Sequence, residues 1–448
     1  MKKAFAWILT LVMAISLVAC GANSATPAGS TTDSTAPSAS TATAGNTNLS
    51  VIWWGNQTRN ERTQAALDLY AEQNPGVTFD AQFAEWSDYW NKLATASAAH
   101  SLPDVVQMDY KYLKQYVENG LLVDLKPYID SGVLDVSGID PGILEAGSVD
   151  GGVYAVCIGV NAPALLYNKT FMDENGFTVK DNMTMDEFIA LSKEVYKKTG
   201  MKTNVSYGAG ENFIDYTMRA QSIELYDGNK FGAKSAEDFV PYFSIYENGI
   251  KDGWLISPEV FAERTLGSVE QDPLVFGSGA DQRSWCTLAY SNLLTAFQAA
   301  ADAEGVVELG ITTWPSADPA KSDYLKPGQF FSVTVDSKDP EAAAKILDYW
   351  TNSLECNEIL LAERGIPASS KTADALAPKL DSLQQKITDY INNVVTPTCS
   401  AISPAAPENS AEVLKLYDSL QEQVCYGKLT AAEAAQKLFD EGNAILAG

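Results

Sequence analysis

A chain of 448 residues with 31 basic and 57 acidic side chains carries a formal net charge of −26. That acidity excludes nucleic acid as a partner and excludes docking on anionic lipid through a basic patch, while saying little about a neutral ligand. One histidine and six cysteines, none at C-x-x-C spacing, leave no basis for a zinc site.

At the N-terminus, Lys2 and Lys3 precede an apolar stretch from Ala4 to Ala19, broken only by Thr10 and Ser16. It is too short and wrongly flanked for a membrane span, and residues 1–19 read as a signal peptide. Leu17-Val18-Ala19-Cys20 resembles the lipobox of bacterial lipoproteins. The resemblance implies cleavage before Cys20 and acylation of its sulfur, palmitate included; an ordinary secretory signal with a chance cysteine is the alternative. Residues 21–48 are almost all Ser, Thr, Ala, Gly, Pro and Asn, with Asp33 the one charge. Such a segment cannot bury enough apolar area to offset its ordering entropy, so residues 20–48 are expected to be a lipidated, disordered tether. The expected location is the extracellular face of the cell membrane, held by the lipid alone.

About 400 residues remain, more than one core accommodates, so two lobes are expected. Leu49 to Trp54 is a short apolar run of strand character, and Thr58 to Gln73 is a helix stopped by Asn74-Pro75-Gly76. Val77, Phe79, Ala81 and Phe83 alternate with polar neighbours in a second strand. A helix over Trp86 to Ala99, a strand over Asp104 to Met108 and a helix over Tyr112 to Glu118 follow. This alternation points to βαβ units and a parallel sheet. Further on, Thr184-Met185-Asp186-Glu187 fits a capping box for a helix running to Lys197-Lys198, with Gly200 just past its end. Another helix starts at Ser235. Glu308 to Trp314 and Phe330 to Val335 read as strands, and Asp339-Pro340 opens a helix to Thr351. The remainder is mainly helical. Of the five cysteines beyond Cys20, Cys399 and Cys425 could pair in an oxidising compartment, with buried free thiols as the other reading.

Several phrases in this order carry a resemblance. They are Val51-Ile52-Trp53-Trp54-Gly55, Tyr89-Trp90-Asn91-Lys92-Leu93, Leu102-Pro103-Asp104-Val105-Val106 and Gly120-Leu121-Leu122-Val123-Asp124-Leu125. Gly152-Val153-Tyr154-Ala155-Val156, Leu166-Tyr167-Asn168-Lys169, Ile311-Thr312-Thr313-Trp314-Pro315 and Arg364-Gly365-Ile366-Pro367 continue the series. Over residues 49 to 370 the chain resembles the extracellular solute-binding proteins of ABC sugar importers, the family that includes the maltodextrin-binding protein. The resemblance implies an α/β, two-lobe periplasmic-binding-protein fold of type II, with parallel-rich sheets flanked by helices and a ligand cleft between the lobes. Lobe one would hold residues 49–159 and 313–350; lobe two would hold 160–312 and 351–448. The segment Gln282-Arg283-Ser284-Trp285-Cys286 departs from the family, whose members carry a smaller, blander stretch there.

A sugar offers an apolar C–H face, which suits an aromatic plate, and a rim of hydroxyls, which suits Asp, Asn and Arg. Strand ends are where open α/β sheets place their ligand crevice. By that reasoning the candidate ligand contacts are Trp54, Trp86, Trp254, Trp285 and Trp314 for stacking, with Tyr110 beside them. Asn56, Asp109, Asn161 and Arg364 are the candidates for hydroxyls, with Asp281 and Arg283 as weaker ones. Each tryptophan has core packing as its alternative, Asp109 a helix cap, and Arg364 a structural ion pair. The expected function is capture of a carbohydrate, an oligosaccharide above all, and its delivery to ABC permease transmembrane subunits by hinge closure, by a monomer without cofactor or metal. Rival readings are a peptide- or polyamine-binding protein and, further off, a surface glycosidase, which needs only two carboxylates. The only histidine, His100, lies at a predicted helix end, and no phosphate-binding G-x-x-x-x-G-K-[ST] loop exists.

Overall fold

A computed structural model describes residues 46–448, except 56, 85, 208, 209, 307, 405 and 408 and the side chains of 58, 86, 87, 211 and 212. The signal segment, Cys20 and the tether therefore lie outside the described residues, as do Asn56 and the side chain of Trp86.

The first lobe grows from strand β1 (Thr47–Trp54), whose Leu49, Val51, Ile52 and Trp53 are buried. The helix Gln57–Gln73 returns the chain to β2 (Val77–Ala84), and helix Trp86–Ala98 leads to β3 (Val105–Met108). β1 pairs in parallel with both β2 and β3, as the alternating pattern requires. The indole N–H of Trp53 donates to Asn60 Oδ1 at 2.9 Å, so this fully buried ring leaves no polar atom unmet. A two-stranded hairpin, β4 (Ser148–Val149) with β5 (Gly152–Val153), precedes β6 (Val156–Asn161). β7 (Pro163–Asn168) follows after one residue but belongs to a different sheet.

β7 is the centre of the second lobe's sheet, flanked by β8 (Cys286–Tyr290) and β9 (Leu309–Thr312), both antiparallel to it. The capping box forms as read: Thr184 Oγ1 accepts from Glu187 N–H, Glu187 accepts from Thr184 N–H, and the helix Met185–Thr199 ends on Gly200 at φ 77°. The helix begun at Ser235 is a short 3₁₀ turn continued by Val240–Lys251. β10 (Lys326–Val333) returns to the first sheet and lies antiparallel between β3 and β6, and β11 (Ile366–Pro367) completes that sheet against β6. Parallel pairing is thus confined to β1, β2 and β3. A strand that comes back from the other lobe enters from the opposite end.

Two lobe boundaries differ from the sequence reading. Residues 313–324 were assigned to lobe one, yet Trp314 and Tyr324 are buried in the second lobe's core with Phe213 and Tyr216. Residues 351–376 were assigned to lobe two, yet helix Leu354–Leu360 packs on helix Gln57–Gln73 and β11 joins the first sheet. The third crossing lies after helix Ser370–Leu376, because the next helix, Ser382–Tyr390, places Lys386 Nζ on Glu308 and on the Leu309 carbonyl of the second sheet. Helicity marked these segments correctly; which lobe buries their apolar faces depends on pairings hundreds of residues apart.

The five described cysteines are free thiols, four buried and Cys399 half-buried. No described helix is long and apolar enough to cross a membrane.

Candidate functional site

The chain passes between the sheets at residues 161–163 and again between β9 and β10. Beside these passages lies a cavity of about 330 Å³. The first lobe contributes Asp109, Tyr110 and Lys111, at the start of helix Tyr110–Glu118 and directly after the carboxyl end of β3. The second lobe contributes Asp215, Glu224 and Tyr226. Tyr290, Tyr324 and Lys326, at or near the ends of β8 and β10, form the floor, and Ile402 to Pro404 close the third side.

The floor is a tied set of rings. The hydroxyls of Tyr290 and Tyr324 are 3.1 Å apart, and the Lys326 ammonium lies 5.0 Å above the Tyr290 ring. Tyr290 is half-buried, so part of its ring faces the cavity. Tyr110 is set by Phe330 of β10, 6.4 Å away and nearly parallel at 24°, and its hydroxyl donates to Ser403 carbonyl at 3.4 Å. Ser403 also reaches the other lobe: its hydroxyl donates to Asp215 at 3.1 Å and accepts from Arg219 Nη1 at 2.8 Å. The same guanidinium grips Ser400 Oγ and Ala401 carbonyl through Nη2 and Ser322 carbonyl through Nε. A buried fork with four bonds of this kind fixes segment 400–403 as a wall rather than a loose loop.

Burial pushes the Asp215 carboxyl up to about 6, against the pull of Arg219 and the Ser403 hydroxyl. Burial likewise raises Asp323, beneath the floor, to about 7, although Tyr216 donates to it at 2.6 Å. The lining carries Asp109, Asp215 and Glu224 against Lys111 and Lys326. Mixed charge with three or four exposed aromatic edges suits a polar, uncharged ligand with both apolar faces and hydroxyls.

Of the sequence candidates, Asp109 and Tyr110 line this cavity. Asp109 also caps its helix, accepting from Lys111 N–H at 2.9 Å, so both readings of it hold. The tryptophans do not. Trp254, Trp285 and Trp314 are 1%, 0% and 2% exposed in the second lobe's core. Trp285 Nε1 donates to Thr203 Oγ1 at 2.8 Å and Trp314 Nε1 to the Ala289 carbonyl at 3.0 Å, which consumes the polar handle a site would use. Trp54, at 8%, packs against Tyr89 and Trp90. Arg364 is buried over the Phe331 ring and donates to Thr63 Oγ1 at 2.7 Å; burial lowers it to about 9, and it is structural. Asn161 is buried at the end of β6, wedged beside Gly328 and Gly365, where the positive φ of 109° at Gly365 lets the backbone approach. Arg283 is bonded to the Val275 carbonyl, and Asp281 is exposed outside the cavity. Tyr290 and Lys326 were missed, although both stand at strand ends; the unfamiliar Gln282–Cys286 run hid the strand that Tyr290 terminates. Nothing local marks Ser403 or Asp215.

A family model for bacterial extracellular solute-binding proteins matches residues 65–387. The lactose-binding protein of Rhizobium radiobacter is 30% identical over 144 residues, which is 30% of this chain and 32% of that protein, so the match spans about a third of the relative's length. An extracellular solute-binding protein of family 1 from Alicyclobacillus acidocaldarius superposes with a TM-score of 0.77 at 24% identity, covering 90% of this chain and 99% of that one. A periplasmic oligogalacturonide binding protein from Yersinia enterocolitica, in complex with saturated digalacturonic acid, superposes at 0.67 and 22% identity over 90% and 99%. The structural likeness is one of fold: two lobes about a cleft.

Proposed function

The chain belongs to the bacterial extracellular solute-binding proteins, and from that membership we propose that it captures a carbohydrate between its lobes and delivers it to the transmembrane subunits of an ABC importer. The observation that carries this reading is the interlobe cavity, where Tyr110 from one lobe and Tyr226 from the other accompany Tyr290 over a rim of carboxylates, ammoniums and a hydroxyl. Rings supply stacking faces and the polar groups both donate and accept, as a sugar requires. The two ammoniums weigh against a polyamine. A ligand touching both walls favours the closed form by its differential affinity for closed over open, and the closed form is what a permease would read. The chain binds its ligand and returns it unchanged; it is not an enzyme. Residues 1–19 serve as the signal, Cys20 as the lipid anchor and residues 21–48 as the tether, so the monomer works at the outer membrane surface without entering it.

A thermal-shift screen over a glycan library tests this, because a ligand that binds only the folded state raises the midpoint by mass action, about 2.7 kcal/mol at a hundredfold excess over Kd. At least one glycan should shift the midpoint, and Asp109→Ala should weaken its binding while costing about 1 kcal/mol of helix capping. A library without any hit, alongside a shift by peptides or amines, would overturn the reading.

A further inference from the structure

A second cavity, of about 210 Å³, lies wholly within the second lobe and meets the interlobe cavity at Tyr290, whose ring lines both. One of its walls is aromatic: Tyr207 and Phe261 are parallel within 13° at a centroid separation of 4.5 Å, and Leu266 at the rim is 48% exposed. The other wall is polar and built. Asn204, 3% exposed, donates through Nδ2 to Thr287 Oγ1 at 3.1 Å and to Asp272 Oδ2 at 3.3 Å. Thr287 also donates to that carboxylate oxygen, so the amide must present its NH₂ there and turn its Oδ1 elsewhere. That Oδ1 has no hydrogen-bond partner among the described residues. An orphaned buried acceptor costs about 1–3 kcal/mol, which a ligand hydroxyl reaching it would recover.

Resting on the carbohydrate reading above, we infer that this cavity is a second subsite for the same ligand, holding a further sugar ring against Tyr207 and Phe261 with a hydroxyl donating to Asn204. The interlobe cavity alone sits at the lower edge of the roughly 300–1,000 Å³ that small-molecule sites occupy. With the adjoining cavity the site moves well inside that range. The preferred cargo is therefore a glycan of two or more rings, and Tyr290 is the plate between consecutive units.

Calorimetric titration with glucose and galactose, then maltose, cellobiose and lactose, then maltotriose and cellotriose, reads this out. Affinity should rise about tenfold or more from monosaccharide to disaccharide in at least one series. In Tyr207→Ala that increment should fall below about threefold, with monosaccharide affinity unchanged. Leu266→Glu, at an exposed rim position that does not endanger folding, should reduce the increment as well. A monosaccharide that binds as tightly as its disaccharide, or an increment that survives in both variants, overturns the second subsite and leaves the carbohydrate reading standing. Failure of every sugar in the panel overturns both.

Discussion

Replacing Trp285 with alanine separates a core role from a ligand role. The ring is fully buried, packs 5.7 Å from Phe188 and donates its N–H to Thr203 Oγ1, itself fully buried. Its backbone also ties two segments together, accepting from Asn168 N–H at 2.9 Å and donating to the Lys202 carbonyl at 2.9 Å. Truncating a buried tryptophan to alanine costs about 3–5 kcal/mol in lost transfer energy and residual cavity. The Thr203 hydroxyl, left without its donor in a dry core, adds a fraction of the 1–3 kcal/mol that orphaned groups cost. The loss should therefore be about 4 kcal/mol or more for Trp285→Ala. Trp285→Phe keeps most of the packing and should lose about half as much. Urea unfolding followed by circular dichroism would show the midpoint falling steeply in the first variant and moderately in the second. Below the transition, the folded fraction of both should bind ligand with wild-type Kd. A variant with an unmoved midpoint and tenfold weaker binding would place the ring in the cleft and refute the reasoning.

Tyr290→Ala should weaken ligand binding about tenfold, some 1.4 kcal/mol, by removing the plate between the two cavities, whereas Tyr290→Phe should retain most of the affinity; calorimetry distinguishes them. Asp323, Asp215 and Asp272 are held by burial at about 7, 6 and 6. Their unfolded values lie near 3.9, so the folded chain binds these protons more tightly: the contribution to stability is full below about pH 4 and is lost as pH rises through 6 to 7. Denaturation midpoints should accordingly favour pH 5 over pH 8, and Asp323→Asn should flatten that slope, with a ceiling of about 4 kcal/mol for this one group. Arg219→Lys cannot reproduce the fork that grips Ser400, Ala401 and Ser403, so unfolding stability should drop by about 3 kcal/mol and limited proteolysis should begin to cut near residue 402; an intact strap with unchanged stability would contradict the account.

Local signals proved sound wherever one segment decides its own structure. β1, β2 and their intervening helix, the capping box at Thr184 and Glu187, and the stop at Gly200 were all legible, because side-chain period and cap chemistry act within a few residues. Asp109 was legible for a similar reason: it directly follows a short buried strand, and the end of such a strand opens on the crevice. The tryptophans misled because type and position along an element do not reveal which face turns inward. Trp285 precedes β8 and looks like an edge residue in one dimension, yet its ring is claimed by Phe188 and Thr203 from segments about eighty residues or more away.

The sequence by itself determined the acidity, the alternation of strands and helices, the expectation of two lobes and the family to which the chain is similar, since each rests on composition or short-range pattern. Tertiary structure alone decided which lobe owns residues 313–324 and 351–376, and which aromatic rings stay wet. It also decided that Ser403 would join Tyr110 to Asp215 across the cleft. Burial is settled by surfaces meeting across hundreds of residues, and no window along the chain contains both sides of such a contact.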